Sequence, residues 1–251
     1  MEVHHHSHHP HKENKKWHHY FWEFFMLFLA VTLGFFVENT REHYIERKWE
    51  KKYIESIILD LKADIAWNKQ FIQDQTYSIN SYDSVILLLK MKPRSEEHLK
   101  RLYYLTRMAM RNSWPNEANE NAYDQMKNSG NLRLLHNHPI ADSISSYYFK
   151  LKEIAYITEL ITLRQQAVTE YEAKIIDGTV LQGMIKKDDF TFHVPDQTRP
   201  LVTEDPQTIN EFIVRIHYLN SIMVYSVRFA EKQSEAATRL MDFLHEEYDL
   251  K

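Results

Sequence analysis

Residues 17–37 read WHHYFWEFFMLFLAVTLGFFV, and this stretch decides the architecture of the chain. As an α-helix, a segment of this length would extend roughly 31 Å, which matches the hydrocarbon core of a bilayer. Residues 24–37 carry no charge, and Trp17, Tyr20 and Trp22 cluster at the N-terminal end, as interfacial aromatic residues do. No Ala-x-Ala-like site follows, which disfavours a cleaved signal peptide, and an apolar surface on every side disfavours a surface helix. We therefore predict that this stretch crosses a membrane once.

Three residues inside the predicted span are candidates for helix association in the membrane. Glu23 is ionisable, and an ionisable residue within a membrane helix is a functional candidate by default. The alternative is that its carboxylate lies one turn from the interface and reaches the headgroups, and the shallow position of Glu23 favours this alternative. Ala30 and Gly34 are small residues four positions apart, a spacing that lets two helices approach closely.

A long amphipathic helix is predicted to follow the span. Residues 35–92 contain no proline, and no glycine is found there either, so nothing interrupts a helix before Pro93. Apolar residues recur with a period of about 3.5 to 3.6, and they are Ile45, Trp49, Tyr53, Ile57, Leu61, Ile65, Ile72, Ile79, Tyr82, Ile86 and Leu89. Ser, Asn and Asp side chains between Ser78 and Ser84 compete for backbone hydrogen bonds, so a bend is possible there.

The rest of the chain predicts further helices separated by proline and glycine. A helix capped by Ser95 is expected to end before Trp114–Pro115–Asn116, and Thr208 with Glu211 is expected to form a capping box. The other predicted elements are a short helix over about 117–128 ended by Ser129–Gly130, a helix from Pro139 to about 176, an irregular connection over 177–206 with a short strand at 190–194, and a helix to about 247.

These elements predict an all-α fold. One N-terminal transmembrane helix continues into the long amphipathic helix, which packs in an antiparallel helical bundle. The predicted domains are a His-rich disordered tail over 1–16, a transmembrane helix over 17–38 and a bundle over 39–251.

Composition excludes several classes of function. Four glycines in 251 residues leave no glycine-rich phosphate loop, and zero cysteines leave no disulfide, zinc–thiolate site or thiol nucleophile. A net charge of −4 disfavours nucleic acid as a partner. No Glu-x-x-His pair for a di-iron site, His-Glu-x-x-His zinc helix or Gly-x-Ser-x-Gly elbow is found in the sequence. We therefore expect no cofactor and no enzymatic activity.

Histidines are the remaining candidates for metal ligands. The N-terminal tail carries six within its first eleven residues, namely His4, His5, His6, His8, His9 and His11. Neutral imidazoles bind transition metals, although a disordered tail of biased composition explains the same pattern. His136 and His138 flank a turn before Pro139, where a solvated turn is the favoured interpretation.

Two segments of the sequence resemble a large family of uncharacterised single-span membrane proteins of Gram-negative bacteria. The first is EFFMLFLAVTLGFFVENTRE at residues 23–42, and the second is NAYDQMKNSGNLRLLHN at residues 121–137, followed by a helix carrying Tyr147–Tyr148. The family pattern of an aromatic turn, a small-residue–Gly stop and paired leucines is matched by Tyr123, Met126, Ser129, Gly130, Leu132, Leu134 and Leu135. The family usually carries a Trp just after the span, where this chain has Thr40.

The resemblance implies a bacterial inner-membrane protein with a short cytoplasmic N-terminus and a periplasmic helical domain. Counting basic residues gives the opposite orientation, because three precede the span (Lys12, Lys15 and Lys16) and five follow it (Arg41, Arg47, Lys48, Lys51 and Lys52). We follow the orientation that the resemblance implies.

Functionally, the sequence predicts a membrane-anchored interaction or scaffold component of the cell envelope, with a protein partner or a second copy of itself. The alternative is a periplasmic ligand-sensing bundle that signals through a partner.

Overall fold

The structure is a computed structural model that describes residues 17–111, 113–135, 137–186, 188 and 191–250. In these residues the α-helices are α1 (Trp17–Lys90), α2 (Glu96–Arg111), α3 (Asn121–Asn128), α4 (His138–Ile175), α5 (Gly178–Gly183) and α6 (Pro206–Tyr248). A 3-10 turn covers Asn131–Leu134, and the strands β1 (Ile185–Lys186) and β2 (Thr191–Phe192) pair antiparallel, with Ile185 opposite Phe192. The predicted all-α fold is therefore confirmed.

The chain forms two compact units, Met1–Glu50 and Lys51–Lys251, and the boundary lies within α1. In the first unit the described residues are helical, and most apolar side chains of the predicted span are exposed, from Trp17 at 82% to Val37 at 68%. In the described part of the chain, α1 is the one helix long and apolar enough to cross a membrane.

The second unit is a bundle built on three long helices. Helices α4 and α6 are antiparallel, because Asn137 Nδ2 donates to Glu247 Oε2 (3.1 Å) near one end while Arg164 lies over the Tyr218 ring further along. Helix α6 also crosses to α1, where Asn220 Nδ2 donates to Asp83 Oδ1 (2.9 Å). The predicted antiparallel packing of helices is present in this unit.

Two apolar clusters fill the bundle. One joins the C-terminal end of α1 to α2, the second half of α4 and the first half of α6, and it includes Leu89, Leu102, Val168 and Phe212. The other joins residues 53–61 of α1 to α3, the first half of α4 and the last part of α6. The first cluster is therefore closed by α2 and the second by α3.

The core-facing residues of α1 differ from the predicted set. Ile65, Ile72, Ile79 and Ile86 are only half-buried, because they lie on the flank of the helix. The buried line runs with alternating spacings of three and four through Ile57, Leu61, Asp64, Asn68, Phe71, Gln75, Ser78, Tyr82, Val85 and Leu89. A prediction from apolar residues alone misplaces the buried line of α1, because the middle of that line is made of polar residues.

Two helix boundaries were predicted with the wrong residues. The last helix is capped by Asp205, whose Oδ2 accepts from Thr208 N (2.8 Å), so Thr208 lies in the first turn and does not form a capping box with Glu211. The short helix begins at Asn121 and not at 117.

Other local predictions had mixed outcomes. The Ser95 cap is confirmed, since Ser95 Oγ accepts from His98 N (3.2 Å). Gly130 ends the α3 turn with φ +72°, and α1 stays helical through Ser78–Ser84. The connection after α4 contains the unpredicted α5, and its strands lie at 185–186 and 191–192; the start of the predicted strand, Phe190, lies outside the described residues.

Candidate functional site

Four buried polar side chains of α1 form what we call the polar seam. They are Asp60, Asp64, Asn68 and Gln75, and each is at most 9% exposed. Buried polar groups are expensive unless they are hydrogen-bonded, so a seam of four needs partners inside the bundle. Most of the partners come from residues 113–122, which cover the connection between α2 and α3 and the start of α3.

Residues 113–120, the extended segment, contain no helix or strand. The segment contacts α1 from Gln75 near its start to Asp60 just after its end, a helix length of about 22 Å. A helical connection of nine residues would cover only about 14 Å, so the chain must be extended here. Extended backbone away from a sheet has no regular partners for its N–H and C=O groups.

The two carboxylates of the polar seam supply acceptors for this backbone. Asp64 Oδ1 accepts from Asn119 N (2.7 Å), and Asp60 Oδ2 accepts from Ala122 N (2.8 Å). The second oxygen of Asp64 accepts from the Tyr147 hydroxyl of α4 (2.8 Å). Asp64 therefore joins α1, the extended segment and α4.

The two amides of the polar seam hold the other end of the extended segment. Gln75 Nε2 donates to Trp114 O (3.0 Å), and Asn116 Nδ2 donates to Asn68 Oδ1 (3.3 Å). From α4, Gln165 Nε2 donates to the carbonyl oxygen of Ser113 (3.0 Å). The extended segment is thus fixed from both α1 and α4.

Burial changes the acidity of the groups around Asp64. Desolvation raises the pKa of Asp64, although the hydrogen bonds from Asn119 and Tyr147 oppose that increase. The pKa of Asp60 is raised for the same reason, against the hydrogen bond from Ala122. Both carboxylates are used as acceptors by the chain itself, so the geometry supports a structural clamp on the segment.

Tyr148 packs next to this clamp. Its ring stacks on Tyr123 of α3 at 4.3 Å between centroids and meets Tyr147 edge-on at 5.2 Å. Among the described residues its buried hydroxyl has no hydrogen-bond partner. Burial raises the pKa of Tyr148, and the charges of Asp60 and Asp64 raise it further, so the hydroxyl stays neutral.

A further buried acid, Glu172 of α4, lies near Tyr82 of the first apolar cluster. It is 8% exposed, and burial raises its pKa to about 7, with the charge of Arg107 acting in the opposite direction. The charge of Glu172 in turn helps to raise the pKa of Tyr82, so the two lie close together.

On the outside of the bundle, α4 carries a line of exposed apolar residues. Phe149, Tyr156 and Leu163 are 69%, 62% and 56% exposed and are spaced by seven, so they lie on one side of the helix. We call these three residues the α4 stripe. Open grooves also border α4: one of about 540 Å³ lies beside Glu117, and two of about 490 Å³ and 350 Å³ lie between α4 and α6.

The residues predicted from the sequence lie elsewhere. Glu23 Oε1 is 3.2 Å from His19 Nε2 one turn earlier, and Ala30 and Gly34 are exposed on α1. The six tail histidines and His136 lie outside the described residues, while His138 is exposed at the start of α4. Within the described ranges no group of three or more His, Asp or Glu side chains could hold a metal ion.

Comparison with protein-family models, with curated proteins and with solved structures finds no match to this chain.

The polar seam is not evident from the sequence, because its partners lie 39 to 83 residues away along the chain and several of them are backbone groups. One available signal was the spacing itself. Ile57, Leu61, Asp64, Asn68 and Phe71 follow the three–four alternation of a core line, and polar residues on that line predict internal hydrogen bonds.

Proposed function

We propose that this chain is a membrane-anchored helical protein of the cell envelope that acts as an interaction or scaffold component. The observation that carries the proposal is the α4 stripe. Large exposed apolar side chains that recur on one side of a helix are typical of surfaces that contact other proteins. The polar seam supports the same role, since it rigidifies the bundle that presents the stripe.

The partner in this proposal is a protein, either a different one or a second copy of the chain. Photo-crosslinking from the stripe tests it. The full chain would carry benzoylphenylalanine in place of Tyr156, with a matched control at Glu235 of α6, whose side chain is 69% exposed. We expect a discrete adduct from position 156 that is absent from position 235 and is lost when Phe149→Ser is added.

The mass of the adduct separates the two kinds of partner. Twice the mass of the chain identifies a homo-oligomer, and any other mass identifies a different protein. Equal labelling from both positions, or an adduct that survives Phe149→Ser, would contradict a specific contact at the stripe.

The proposed location is the bacterial inner membrane, with the N-terminus in the cytoplasm and the bundle in the periplasm. The resemblance to single-span envelope proteins supports this orientation, and the count of basic residues opposes it. Because the chain has no cysteine, single cysteines at Gly178 and, separately, at Ser7 can report the side of the membrane. Gly178 is exposed at the start of α5.

An impermeant maleimide added to intact spheroplasts should label the cysteine at position 178 and leave the one at position 7 protected. Labelling at position 7 with protection at 178 would reverse the orientation. It would also place the six tail histidines outside the cell, which would favour metal capture by the tail.

A second candidate function is ligand sensing, with the signal passed on by a partner protein. The smaller open groove between α4 and α6 favours it, since bundle ligand sites are built between facing helices. Binding of a small molecule in that groove would distinguish sensing from pure scaffolding.

A further inference from the structure

The smaller groove between α4 and α6 has the size of a small-molecule site. Its volume is about 350 Å³, at the lower end of the range for ligand pockets. The side chains that bear on its chemistry are Arg164 and Ala167 from α4 and Glu211, Val214, Arg215 and Tyr218 from α6. We call this the α4–α6 groove.

Two guanidinium groups line the α4–α6 groove, and of the two only Arg215 lies close enough to Glu211 for its charge to lower the pKa of that carboxyl. Arg164 Cζ lies 5.5 Å from the ring centroid of Tyr218, and Arg215 Cζ lies 3.9 Å from that of Tyr171. Among the described residues, neither arginine has a carboxylate oxygen within 4.0 Å, and the buried Nε of Arg215 has no hydrogen-bond partner. Aromatic faces therefore hold both cations in place without neutralising them.

The one carboxylate in the groove is already bound by neutral donors. Glu211 Oε1 accepts from Gln207 Nε2 (3.2 Å), and the carboxylate also accepts from the Tyr171 hydroxyl. These hydrogen bonds, and after them the charges of Arg215 and Lys174, lower the pKa of Glu211, so its side chain is ionised at neutral pH. Glu211 therefore contributes a negative charge to the lining while its bonds are directed elsewhere.

The charges of the lining define the kind of anion that fits. Arg164 and Arg215 outnumber Glu211, the one carboxylate of the lining. The charge of Lys174, whose Nζ lies 3.8 Å from the Tyr171 ring centroid, also reaches Glu211. An anion balances this excess of positive charge. Guanidinium groups match the planar geometry of a carboxylate.

The apolar part of the lining completes the definition. Val214 is 42% and Tyr218 54% exposed, so both present apolar surface at the groove beside the two cations. A ligand with a ring or short apolar body can cover this surface while its carboxylate meets the guanidinium groups.

We propose that the α4–α6 groove binds a small organic carboxylate through Arg164 and Arg215, with the apolar body of the ligand against Tyr218 and Val214. This inference goes beyond the interaction role and does not depend on it. Its failure would leave the α4 stripe untouched.

Fluorine NMR of 4-fluorophenylacetate with the full chain in nanodiscs tests the proposal. The neutral amide 4-fluorophenylacetamide has the same shape without the charge, and it serves as the ligand control. The variants are Arg164→Gln and Arg215→Gln, with Arg228→Gln as the matched control, because Arg228 is an exposed arginine of α6 that does not line the groove. Circular dichroism verifies that each variant is folded, and the exposed Arg164 keeps the test valid if Arg215→Gln misfolds.

We expect the wild-type chain to broaden and shift the carboxylate resonance, with at least about a fivefold loss of affinity in each groove variant. Arg228→Gln should bind as the wild type does, and the amide should bind at least about fivefold more weakly than the carboxylate.

Four results would overturn the proposal. The first three are no binding of 4-fluorophenylacetate up to about 10 mM, equal binding of the amide, and unchanged binding in both groove variants. Displacement of the probe by inorganic phosphate at equal concentration would also overturn it, because the groove would then bind anions without regard to charge or apolar body.

Discussion

Replacing the buried Glu172 by glutamine should make the bundle more stable above neutral pH. The carboxyl is 8% exposed and its pKa rises from 4.5 to about 7 on burial. Among the described residues no hydrogen-bond donor pairs with its side chain, and the charge of Arg107 only partly opposes the cost of burial. Glutamine has nearly the same shape and cannot ionise.

The size and the sign of the change in the free energy of unfolding follow from the pKa values of Glu172 in the unfolded and native states. The native state binds the proton more tightly, so between pH 4.5 and about 7 it holds more protons than the unfolded state. Stability is therefore greatest below pH 4.5 and falls as the pH rises through about 7. At about 1.4 kcal/mol per unit of pKa, the ionised carboxyl lowers the free energy of unfolding by about 3 kcal/mol at pH 8.

Urea unfolding of the full chain in nanodiscs, followed by circular dichroism, measures this effect. The free energy of unfolding of Glu172→Gln should exceed that of the wild type by about 3 kcal/mol at pH 8 and by much less near pH 5. The difference between the pH profiles of variant and wild type therefore reports Glu172 alone. Glu159→Gln, at an exposed position of α4, is the matched control and should leave the free energy of unfolding unchanged at both pH values. A variant that is equally or less stable than the wild type at pH 8 would refute the reasoning, because the carboxylate would then have a favourable partner.

Three further substitutions test the clamp and the local turns, each by the same unfolding measurement. Asp64→Ala removes the acceptor of Asn119 N and of the Tyr147 hydroxyl, and it should cost about 2 to 4 kcal/mol; a cost below about 1 kcal/mol would mean that water replaces the carboxylate. Gly130→Ala puts a Cβ on a residue with φ +72° and should cost about 1 kcal/mol, with open space around it excluding a steric explanation. Asp205→Ala removes the cap of α6 and should cost about 1 kcal/mol, whereas Asp205→Asn should restore most of it.

Much of the fold could be predicted because its signals are local. Pro93, Gly130 and Pro139 punctuate the helices, and each acts through its own backbone geometry. The cap of α6 is harder to predict from the sequence, because Asp205, Thr208 and Glu211 offer two overlapping capping patterns. Asp205 is the N-cap because Pro206, which follows it, fits the first helical position.

The candidate site could not be predicted to the same degree, because it depends on long-range pairing. Asp60 and Asp64 resemble exposed charges of an amphipathic helix until the extended segment is placed against them. The cations of the α4–α6 groove pose the same difficulty, since Arg164 and Arg215 meet only after α4 and α6 pack. Helix periodicity specifies a face, and it does not specify which distant backbone group that face will meet.

The clamp also determines where the chain can vary during evolution. The polar seam binds the main chain of the extended segment, and every residue except proline offers the same N–H at positions 119 and 122. Glu117 and Ala118 can therefore drift among homologous proteins without disturbing these bonds. Asp60 and Asp64 have no such freedom, because few side chains place an acceptor at that reach, so purifying selection should fall on these two residues of the helix and spare positions 117 and 118 of the segment that it holds.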